Sequence, residues 1–282
     1  MYHSQRGSPT IEDSLVTDNT NETVHSVERC CALLDCLGHA SDGMSLTQIA
    51  GTLKIPYSTA YRLLATLSNH GYVERDQDTK RYFLGLHILE LQASIAKRFR
   101  LLDIAIPHMT KLVQEISVTC HLAVLHDADV VYLESRRSHG DPFFHLYTPP
   151  GRSVPAHCTA LGKVLLAHLP SNLLSQLLSE RPLVAITPNT ITDPGELRQH
   201  LATVRLRGYA VDNEEYALGV RCIAAPIRCR TGEVIAAVSV SGSKDQITPE
   251  KAAALTSQVM AECDQLSREL GFVTDQRSVA AG

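Results

Sequence analysis

The sequence predicts an α+β protein that is built from two different units, and three observations predict it. Residues 26–85 read as short amphipathic helices followed by a β-hairpin. Beyond residue 118 the apolar residues recur with the period of two that is typical of strands, and turn residues join the strands into hairpins. A last helix, Thr248–Leu270, has Thr248 as its cap and Pro249 at its first position. We therefore expect an N-terminal helical unit with a hairpin and a C-terminal antiparallel sheet flanked by helices.

The composition is typical of a soluble globular protein. The 282 residues are 44% hydrophobic and 20% charged, and no apolar run approaches the length of a membrane span. No apolar segment of a signal peptide follows Met1. The eight cysteines include no CxxC pair and mostly lie among apolar neighbours, as free thiols do in a reducing compartment. We expect a cytoplasmic protein.

The chain begins with a polar segment and continues with a helix. Residues 1–22 are rich in Ser, Thr, Asn and Asp, which predicts a disordered tail. From Ser26, which is a favourable N-cap, apolar residues recur at helical spacing as far as Gly38. The predicted apolar stripe comprises Val27, Cys30, Cys31, Leu34 and Leu37. We expect this helix to start the first ordered domain, residues 23–85.

A helix-turn-helix follows in the same domain. Ser45 caps the second helix with Gln48 completing a capping box, and the third helix runs from Pro56 until Gly71 stops it. Ala60, Leu63, Leu64 and Leu67 share one face of the third helix, and Ser58, Thr59, Arg62 and Thr66 share the other. Short hydroxyls beside one arginine are typical of a helix that reads bases in the DNA major groove. Tyr61 lies on the flank of that face, where packing and DNA contact are both open roles.

A β-hairpin follows the third helix. Tyr72–Arg75 and Arg81–Leu84 alternate like strands around the polar turn Asp76–Lys80. A hairpin in this place makes a wing, and Lys80 and Arg81 are positioned to reach phosphates. A merely solvated helix face and a protein-docking role remain as alternatives. The net charge of −4 and the nearly neutral balance of residues 21–100 leave a local basic stripe as the electrostatic means of binding DNA.

Residues 86–101 contain no Pro or Gly and read as a helix between the two domains. Lys97, Arg98 and Arg100 lie at its C-terminal end. They complement the helix dipole there, and DNA contact is the second interpretation.

The second domain, residues 102–274, alternates between helices and strands, and residues 275–282 form a tail. A helix over Asp103–Val118 comes first. The predicted strands are Cys120–His126, Val130–Ser135, Tyr209–Asp212, Arg221–Cys229 and Val234–Ser241. The predicted helices are Thr159–His168, Leu173–Ser179 and Leu197–Arg207, before the final helix.

Small polar residues occur in this domain at positions that suit a small-molecule pocket. The segment Val154–Gly162 leads into a helix, whose free N–H groups favour a carboxylate. Acceptor groups cluster at Asp212–Glu215, after a strand. Ser239 and Ser241 alternate on one face of their strand, and Cys222 can face the same side from the neighbouring strand.

The same residues have structural interpretations. Thr159 is a suitable N-cap, Asp212 can cap a turn, and Cys222 suits core packing. Ser239 and Ser241 also suit a half-exposed strand. Lys163, one turn into its helix, is expected to point to solvent.

The motifs VHSVERCCALLDCL, SLTQIAGTLKIPYSTAYRLLATLSNHGYVERD and RYFLG resemble the N-terminal domain of IclR-family bacterial transcriptional regulators. Three later motifs resemble the effector-binding domain of that family: VPAHCTALGKVLLA, TPNTITDPGELRQHLATVRLRGYAVDNEE and GVRCIAAPIRCRTGEVIAAVSVSG. The resemblance runs from about Thr23 to Phe272 with the motifs in order.

The resemblance implies a winged helix-turn-helix, a linker helix and a GAF-like antiparallel-sheet domain. It implies an effector site lined by Thr159, Ala160, Asp212, Cys222, Ser239 and Ser241 and covered by apolar residues of Phe143–Leu146, Leu146 included. Its effectors would be sugar acids, aromatic acids or keto acids. It also implies self-association as a dimer or tetramer on a double-stranded operator, usually as a repressor of catabolic genes and sometimes as an activator.

The sequence offers little for an enzyme. His157-Cys158 and Cys120-His121 place a thiol beside an imidazole, but adjacent residues of a strand point to opposite faces. No phosphate-binding glycine loop and no metal-ligand spacing is present, so we expect neither a cofactor nor a metal. A redox or metal sensor that uses the cysteines is the remaining alternative.

Overall fold

The computed structural model describes residues 24–91, 100–137 and 148–273. Contacts divide the chain into two compact units, Met1–Lys97 and Arg98–Gly282. The predicted tails, residues 1–22 and 275–282, and the segment Phe143–Leu146 lie outside the described residues. Of the helix predicted at 86–101, the structure describes helical residues 87–91 and the start of another helix at Arg100.

The N-terminal unit consists of helices and a short hairpin around one core. Its elements are α1 (His25–Gly38), α2 (Leu46–Thr52), α3 (Tyr57–Asn69), β1 (Val73–Arg75) and β2 (Tyr82–Leu84). The predicted capping box is confirmed, because Gln48 N donates to Ser45 Oγ at 3.3 Å and Ser45 N donates to Gln48 Oε1 at 2.9 Å. The strands pair antiparallel, with Val73 opposite Leu84.

The core of this unit corrects the predicted stripe of α1. Leu33 and Leu37 are the buried residues of that helix, whereas Val27 and Cys31 are exposed. Leu33 lies outside the predicted stripe, so the helix is rotated from the expected orientation. The buried residues that form this core are Leu33, Leu37, Ile49, Ala60, Leu64, Leu67, Val73 and Tyr82.

Two glycines close the hairpin against the end of α3. Gly71 has φ of +75°, a conformation that favours glycine. A Cβ on Gly85 would lie 2.2 Å from the carbonyl oxygen of Gly71. The backbone segments therefore approach each other more closely than any other residue at position 85 permits.

The C-terminal unit is a six-stranded sheet with helices on both faces, within the part of the chain that the structure describes. The strands are β3 (Thr119–His126), β4 (Asp129–Arg136), β5 (Ser153–Pro155), β6 (Ala210–Asn213), β7 (Val220–Arg228) and β8 (Val234–Ser243). The helices are α4 (Arg100–Ile116), α5 (Ala160–Ala167), α6 (Ser171–Glu180), α7 (Pro194–Arg207) and α8 (Pro249–Glu269). The strand order β5-β4-β3-β8-β7-β6 is antiparallel throughout, which confirms the predicted α+β fold.

Two hydrophobic cores lie on opposite faces of this sheet. Helices α4 and α8 cover the face that carries Leu122, Ile223, Val238 and Val240. Helices α5 and α7 cover the other face, which carries Ala123, Ala210, Ala224 and Ala237. Alanines occupy the second face on β3, β6, β7 and β8, whereas Val130 and Tyr132 occupy it on β4. The polar residues predicted for the pocket lie on this second face, because they alternate along their strands with the large residues of the first. None of the described helices combines the length and the apolar character that a membrane crossing requires.

Candidate nucleic-acid interface and small-molecule pocket

Helix α3 presents a polar face to solvent. Ala60 and Leu64 are fully buried, while Ser58 and Arg62 on the other side are exposed. Tyr61 is 55% exposed, so its side chain is not part of the core. Thr59 is half-buried. The helix therefore offers solvent a hydroxyl, a phenol and a guanidinium within two turns.

A cavity of about 470 Å³ separates this face from the hairpin. It is lined by Leu46, Tyr57, Ser58, Tyr61, Arg62, Arg75 and Tyr82. Arg75, which was not predicted to bind DNA, adds a second arginine to the three predicted residues Ser58, Tyr61 and Arg62. Its guanidinium lies 5.5 Å from the ring centre of Tyr82, the residue opposite it in the hairpin. The position of Arg75 beside the recognition face follows from the pairing of β1 with β2, which the sequence alone does not give.

Asp76 organises the tip of the hairpin. Its Oδ1 accepts hydrogen bonds from the backbone N–H of Thr79 at 2.6 Å, from the Thr79 hydroxyl at 2.7 Å and from Asp78 N at 3.1 Å. These bonds, chiefly that from the Thr79 N–H, lower the pKa of Asp76. Lys80 follows with φ of +57°, is exposed, and donates from Nζ to the carbonyl of Gln77. The tip thus presents a cation on a fixed turn.

Arg81 is placed differently from the phosphate-facing position that we expected. Its Nε donates to Asp42 O at 2.8 Å and its Nη2 donates to Gly43 O at 2.9 Å. Nη2 also lies 3.4 Å from Gln48 Oε1. The guanidinium therefore ties the hairpin to the loop between α1 and α2, because these fixed carbonyl acceptors are within its reach.

In the C-terminal unit, strand register brings four predicted residues onto one face. Asp212 lies opposite Cys222, and Cys222 lies opposite Ser241. Ser239, two residues before Ser241, lies opposite Ala224 on one side and His121 on the other. Asp212, Ser239 and Ser241 are 2%, 2% and 5% exposed. Ser239 and Ser241 therefore lie in a buried part of β8, and the alternative prediction that they belong to a half-exposed strand is wrong. We call Asp212, Cys222, Ser239 and Ser241 the polar row.

Thr159 and Ala160 form the start of α5, which packs on the same face of the sheet. Thr159 is the N-cap, since its hydroxyl accepts from Gly162 N at 3.0 Å. Helix geometry leaves the N–H groups of Ala160 and Leu161 unused within the helix. A Cβ on Gly162 would lie 2.1 Å from the carbonyl oxygen of Ala156. Glycine at this position therefore lets the helix start directly against the preceding 3₁₀ turn, Ala156–Cys158.

The expectation that Lys163 points to solvent is wrong. The residue is completely buried, and its Nζ donates to Val211 O at 2.5 Å and to a carboxylate oxygen of Glu215. Every residue of α5 is buried, so the helix has no solvent-facing side. Oε2 of Glu215 is buried and meets no hydrogen-bond partner among the residues that the structure describes.

Asp212 caps a turn and also belongs to the polar row. Its Oδ1 accepts from the backbone N–H of Glu215 at 2.7 Å and of Tyr216 at 3.4 Å. Burial raises the pKa of Asp212 to about 7, against the lowering effect of these N–H groups and of Lys163. Nearby Cys158 has its pKa raised to about 12, by burial first and by the Asp212 carboxylate second.

Two aromatic residues of this face were missed from sequence. His121 Nδ1 lies 3.3 Å from Ser241 Oγ. The His121 and Tyr132 rings meet edge to face, with centres 5.3 Å apart and planes at 77°. His121 and Tyr132 belong to strands that were predicted correctly. Their place beside the polar row becomes visible only in the pairing of β3 with β4 and β8. Leu146, the predicted cover of the site, lies outside the described residues.

The cysteine and histidine pairs do not form a nucleophile and base. His157 Nε2 lies 3.0 Å from Val184 O, while Cys158 Sγ donates to Pro155 O at 3.4 Å. Burial raises the pKa values of the Cys120, Cys222 and Cys263 thiols. In residues 24–91, 100–137 and 148–273, no three His, Cys, Asp or Glu side chains are grouped to hold a metal ion.

Comparison with known proteins agrees with both units. The family models described as "IclR helix-turn-helix domain" and "Bacterial transcriptional regulator IclR C-terminal" match residues 26–77 and 93–268. The chain is 33% identical to the HTH-type transcriptional regulator BhcR of Paracoccus denitrificans, over 88% of this chain and 87% of that protein. It is 30% identical to the transcriptional repressor IclR of Escherichia coli, over 88% and 90%. The crystal structure of an IclR homolog from Microbacterium hydrocarbonoxydans complexed with 4-hydroxybenzoate has a TM-score of 0.75 at 27% identity, covering 87% of this chain and 98% of that one.

Proposed function

The chain belongs to the IclR family of bacterial transcriptional regulators, and from this we propose that it represses a catabolic operon under the control of a small organic acid. The Escherichia coli relative is named a repressor. The relative from Microbacterium hydrocarbonoxydans was crystallised with an aromatic acid. We propose that the effector of this chain is a sugar acid, an aromatic acid or a keto acid. A regulator of this kind works on chromosomal DNA, which places it in the cytoplasm.

The N-terminal unit supplies DNA recognition in this proposal. Ser58, Tyr61 and Arg62 contact base edges from α3, and Arg75 and Lys80 contact phosphates from the hairpin. Exposure of this face while Ala60 and Leu64 remain buried supports the assignment. Thr59, half-buried on the same helix, lies at the edge of the contact.

The observation that carries the proposal for the C-terminal unit is the polar row, which lies on a sheet face where alanines occupy neighbouring positions of β3, β6, β7 and β8. Hydroxyl, thiol and carboxyl groups stand among Ala123, Ala210, Ala224 and Ala237, and helix α5 packs on this face of the sheet. A small acid with several oxygens matches the hydrogen-bonding groups of such a row. The N–H groups at the start of α5, beside Thr159 and Ala160, add donors for its carboxylate.

Control follows if two DNA-binding units work together. A dimer or tetramer places its recognition helices at one spacing, which matches two half-sites on the operator. An acid that binds one arrangement of the subunits better than the other shifts the population towards it. The factor by which DNA affinity then falls is at most the ratio of the acid affinities of the two arrangements.

A thermal-shift screen of the full-length protein against sugar, hydroxybenzoic and keto acids tests the proposal. An acid at 100 times its Kd stabilises by about 2.7 kcal/mol, which a melting curve resolves. A gel shift on DNA upstream of neighbouring catabolic genes, with and without the acid that raises the melting temperature, then measures the effect of the acid on DNA binding. Release from DNA is expected. Tighter DNA binding with the acid indicates an activator, and stabilisation by none of the acids overturns the effector class.

A further inference from the structure

The site around Asp212 contains more buried negative charge than positive charge. Asp212 and Glu215 are both buried, at 2% and 6% exposure. Lys163 is the cation that approaches them from α5, and it is bonded to Glu215 and to the carbonyl of Val211. The positive charge of the ammonium is therefore already balanced by Glu215. Asp212 has no cation of its own among the contacts that the structure describes.

The other groups that face Asp212 are neutral. Cys222 faces it from β7, Tyr132 from β4, and Cys158 from the 3₁₀ turn before α5. Tyr216, in the turn after β6, donates its backbone N–H to Asp212 Oδ1. Beyond Cys222, the row continues to Ser241, whose hydroxyl contacts His121. Of the two Asp212 oxygens, Oδ1 receives both backbone N–H groups of the turn.

We propose that the pocket binds its acid effector together with one proton, and that Asp212 carries this proton. The inference rests on the proposed function, since it takes the effector to be a carboxylate that lies against the polar row. Two ionised carboxylates in one buried site repel each other strongly. Asp212 therefore takes a proton from solvent, becomes a neutral carboxylic acid, and donates its O–H to the effector carboxylate. The burial of Asp212 already raises its pKa to about 7, so this proton is readily held near neutral pH.

The first test measures the proton on Asp212 directly in the full-length protein. Aspartate is labelled with ¹³C at the carboxyl carbon, and the Asp212 signal is identified by its loss in Asp212→Asn. We expect this signal to titrate near pH 7, and the signals of exposed Asp78 and Asp245 serve as internal references. A midpoint near 4 for Asp212 overturns the inference, whether or not any acid binds.

The second test measures the linkage, with 4-hydroxybenzoate, pyruvate and gluconate as probes for the three acid classes. Calorimetric titration in buffers of different ionisation enthalpy should show uptake of close to one proton per acid bound near pH 8. Affinity should fall tenfold for each pH unit above the Asp212 midpoint. Binding of a probe with no proton uptake overturns the inference and leaves the proposed function in place.

Matched variants separate the two carboxylates. Asp212→Asn cannot take up the proton, so any binding that it retains should no longer depend on pH. Glu215→Gln keeps Asp212 and should keep the proton uptake. Uptake that survives in Asp212→Asn assigns the proton to another group and overturns the inference. If none of the probes binds, the proposed effector class fails, and the inference that rests on it fails with it.

Discussion

His108 and Glu262 lie 2.7 Å apart, Nδ1 to Oε2, and join the first helix of the C-terminal unit, α4, to its last, α8. The other ring nitrogen, Nε2, lies 3.2 Å from Glu269 Oε1. Each ring nitrogen of His108 therefore faces a carboxylate oxygen of α8. Lys111 also donates to Glu262. Burial by itself raises the pKa of Glu262, but the bonds from Lys111 and His108 outweigh it and lower the pKa.

Glu262→Gln should destabilise the C-terminal unit by about 1–3 kcal/mol at pH 7, because two donors lose a charged acceptor in a buried site. Glu269→Gln is the matched control, since that side chain is 46% exposed against 8% for Glu262, and it should cost less than about 1 kcal/mol. Because the pKa of Glu262 is lowered from its ordinary 4.5, its stabilising effect exists above that pH and disappears as pH falls through the folded value. Urea unfolding at pH 7 and pH 3 measures both effects. Equal losses for the two variants would contradict the assignment.

Arg62→Ala should weaken operator binding by about 10- to 100-fold and relax sequence preference, because a base-reading contact is lost. The side chain is exposed, so the melting temperature should not change. Fluorescence anisotropy with operator and scrambled duplexes measures the two affinities. Arg198→Ala, an exposed arginine of the C-terminal unit, is the control and should bind normally. Unchanged operator affinity in Arg62→Ala removes the recognition role.

The two basic residues of the wing should behave differently. Lys80→Ala should lower affinity for all DNA sequences and reduce the slope of log affinity against log salt by about 0.9, as expected for one phosphate contact. Arg81→Ala should instead destabilise the N-terminal unit by about 1–3 kcal/mol, because the carbonyls of Asp42 and Gly43 lose their donor. Calorimetric melting and salt-dependent anisotropy separate these effects. If both variants melt normally and lose the same salt slope, Arg81 is a phosphate contact after all.

Ser239→Ala should weaken the response to the acid effector without changing DNA binding in its absence, since the residue lies in the polar row. Ser243→Ala is the control on the same strand face. Its hydroxyl accepts from Gln246 N at 3.2 Å at the strand end, and its loss should leave the response intact. Gel shifts over a range of acid concentrations measure the midpoint of release for each variant. An unchanged midpoint for Ser239→Ala moves the pocket elsewhere.

Lys163→Met should destabilise the C-terminal unit by about 3–5 kcal/mol, because it leaves the buried carboxylate of Glu215 without its cation. The double variant Lys163→Met, Glu215→Gln removes that charge and should regain much of the loss. Urea unfolding of the wild type, both single variants and the double variant gives the coupling energy. Additive losses would show that the pair is not coupled in solution.

The elements with local sequence signals could be predicted, and the contacts between distant elements could not. The capping box of Ser45 and Gln48, the hairpin after α3 and the α+β fold follow from short-range patterns that the structure confirms. Strand β5, with only Ser153–Pro155, is too short to show a period. The rotation of α1 towards Leu33 is decided by the helices and hairpin against which it packs.

The residues of the candidate pocket also divide into those placed by local sequence patterns and those placed by contacts between distant segments. Alternation placed Ser239 and Ser241 on one face, because a period of two is a property of a single strand. Nothing near Lys163 in sequence indicates Glu215, 52 residues away, as its partner. His121 and Tyr132 join the row only through the pairing of β3 with β8 and β4. The roles of the predicted site residues in binding remain predictions that the variants above test.

The alternation along β8 also has a consequence for folding fidelity. A slip of one residue against β3 and β7 would bury Ser239 and Ser241 in the apolar core and turn Val238 and Val240 towards the pocket. Such a misregistered chain loses stability and loses the polar row in the same event. Under the proposed function, an effector that binds only the native pairing also stabilises the correct register against the slipped one.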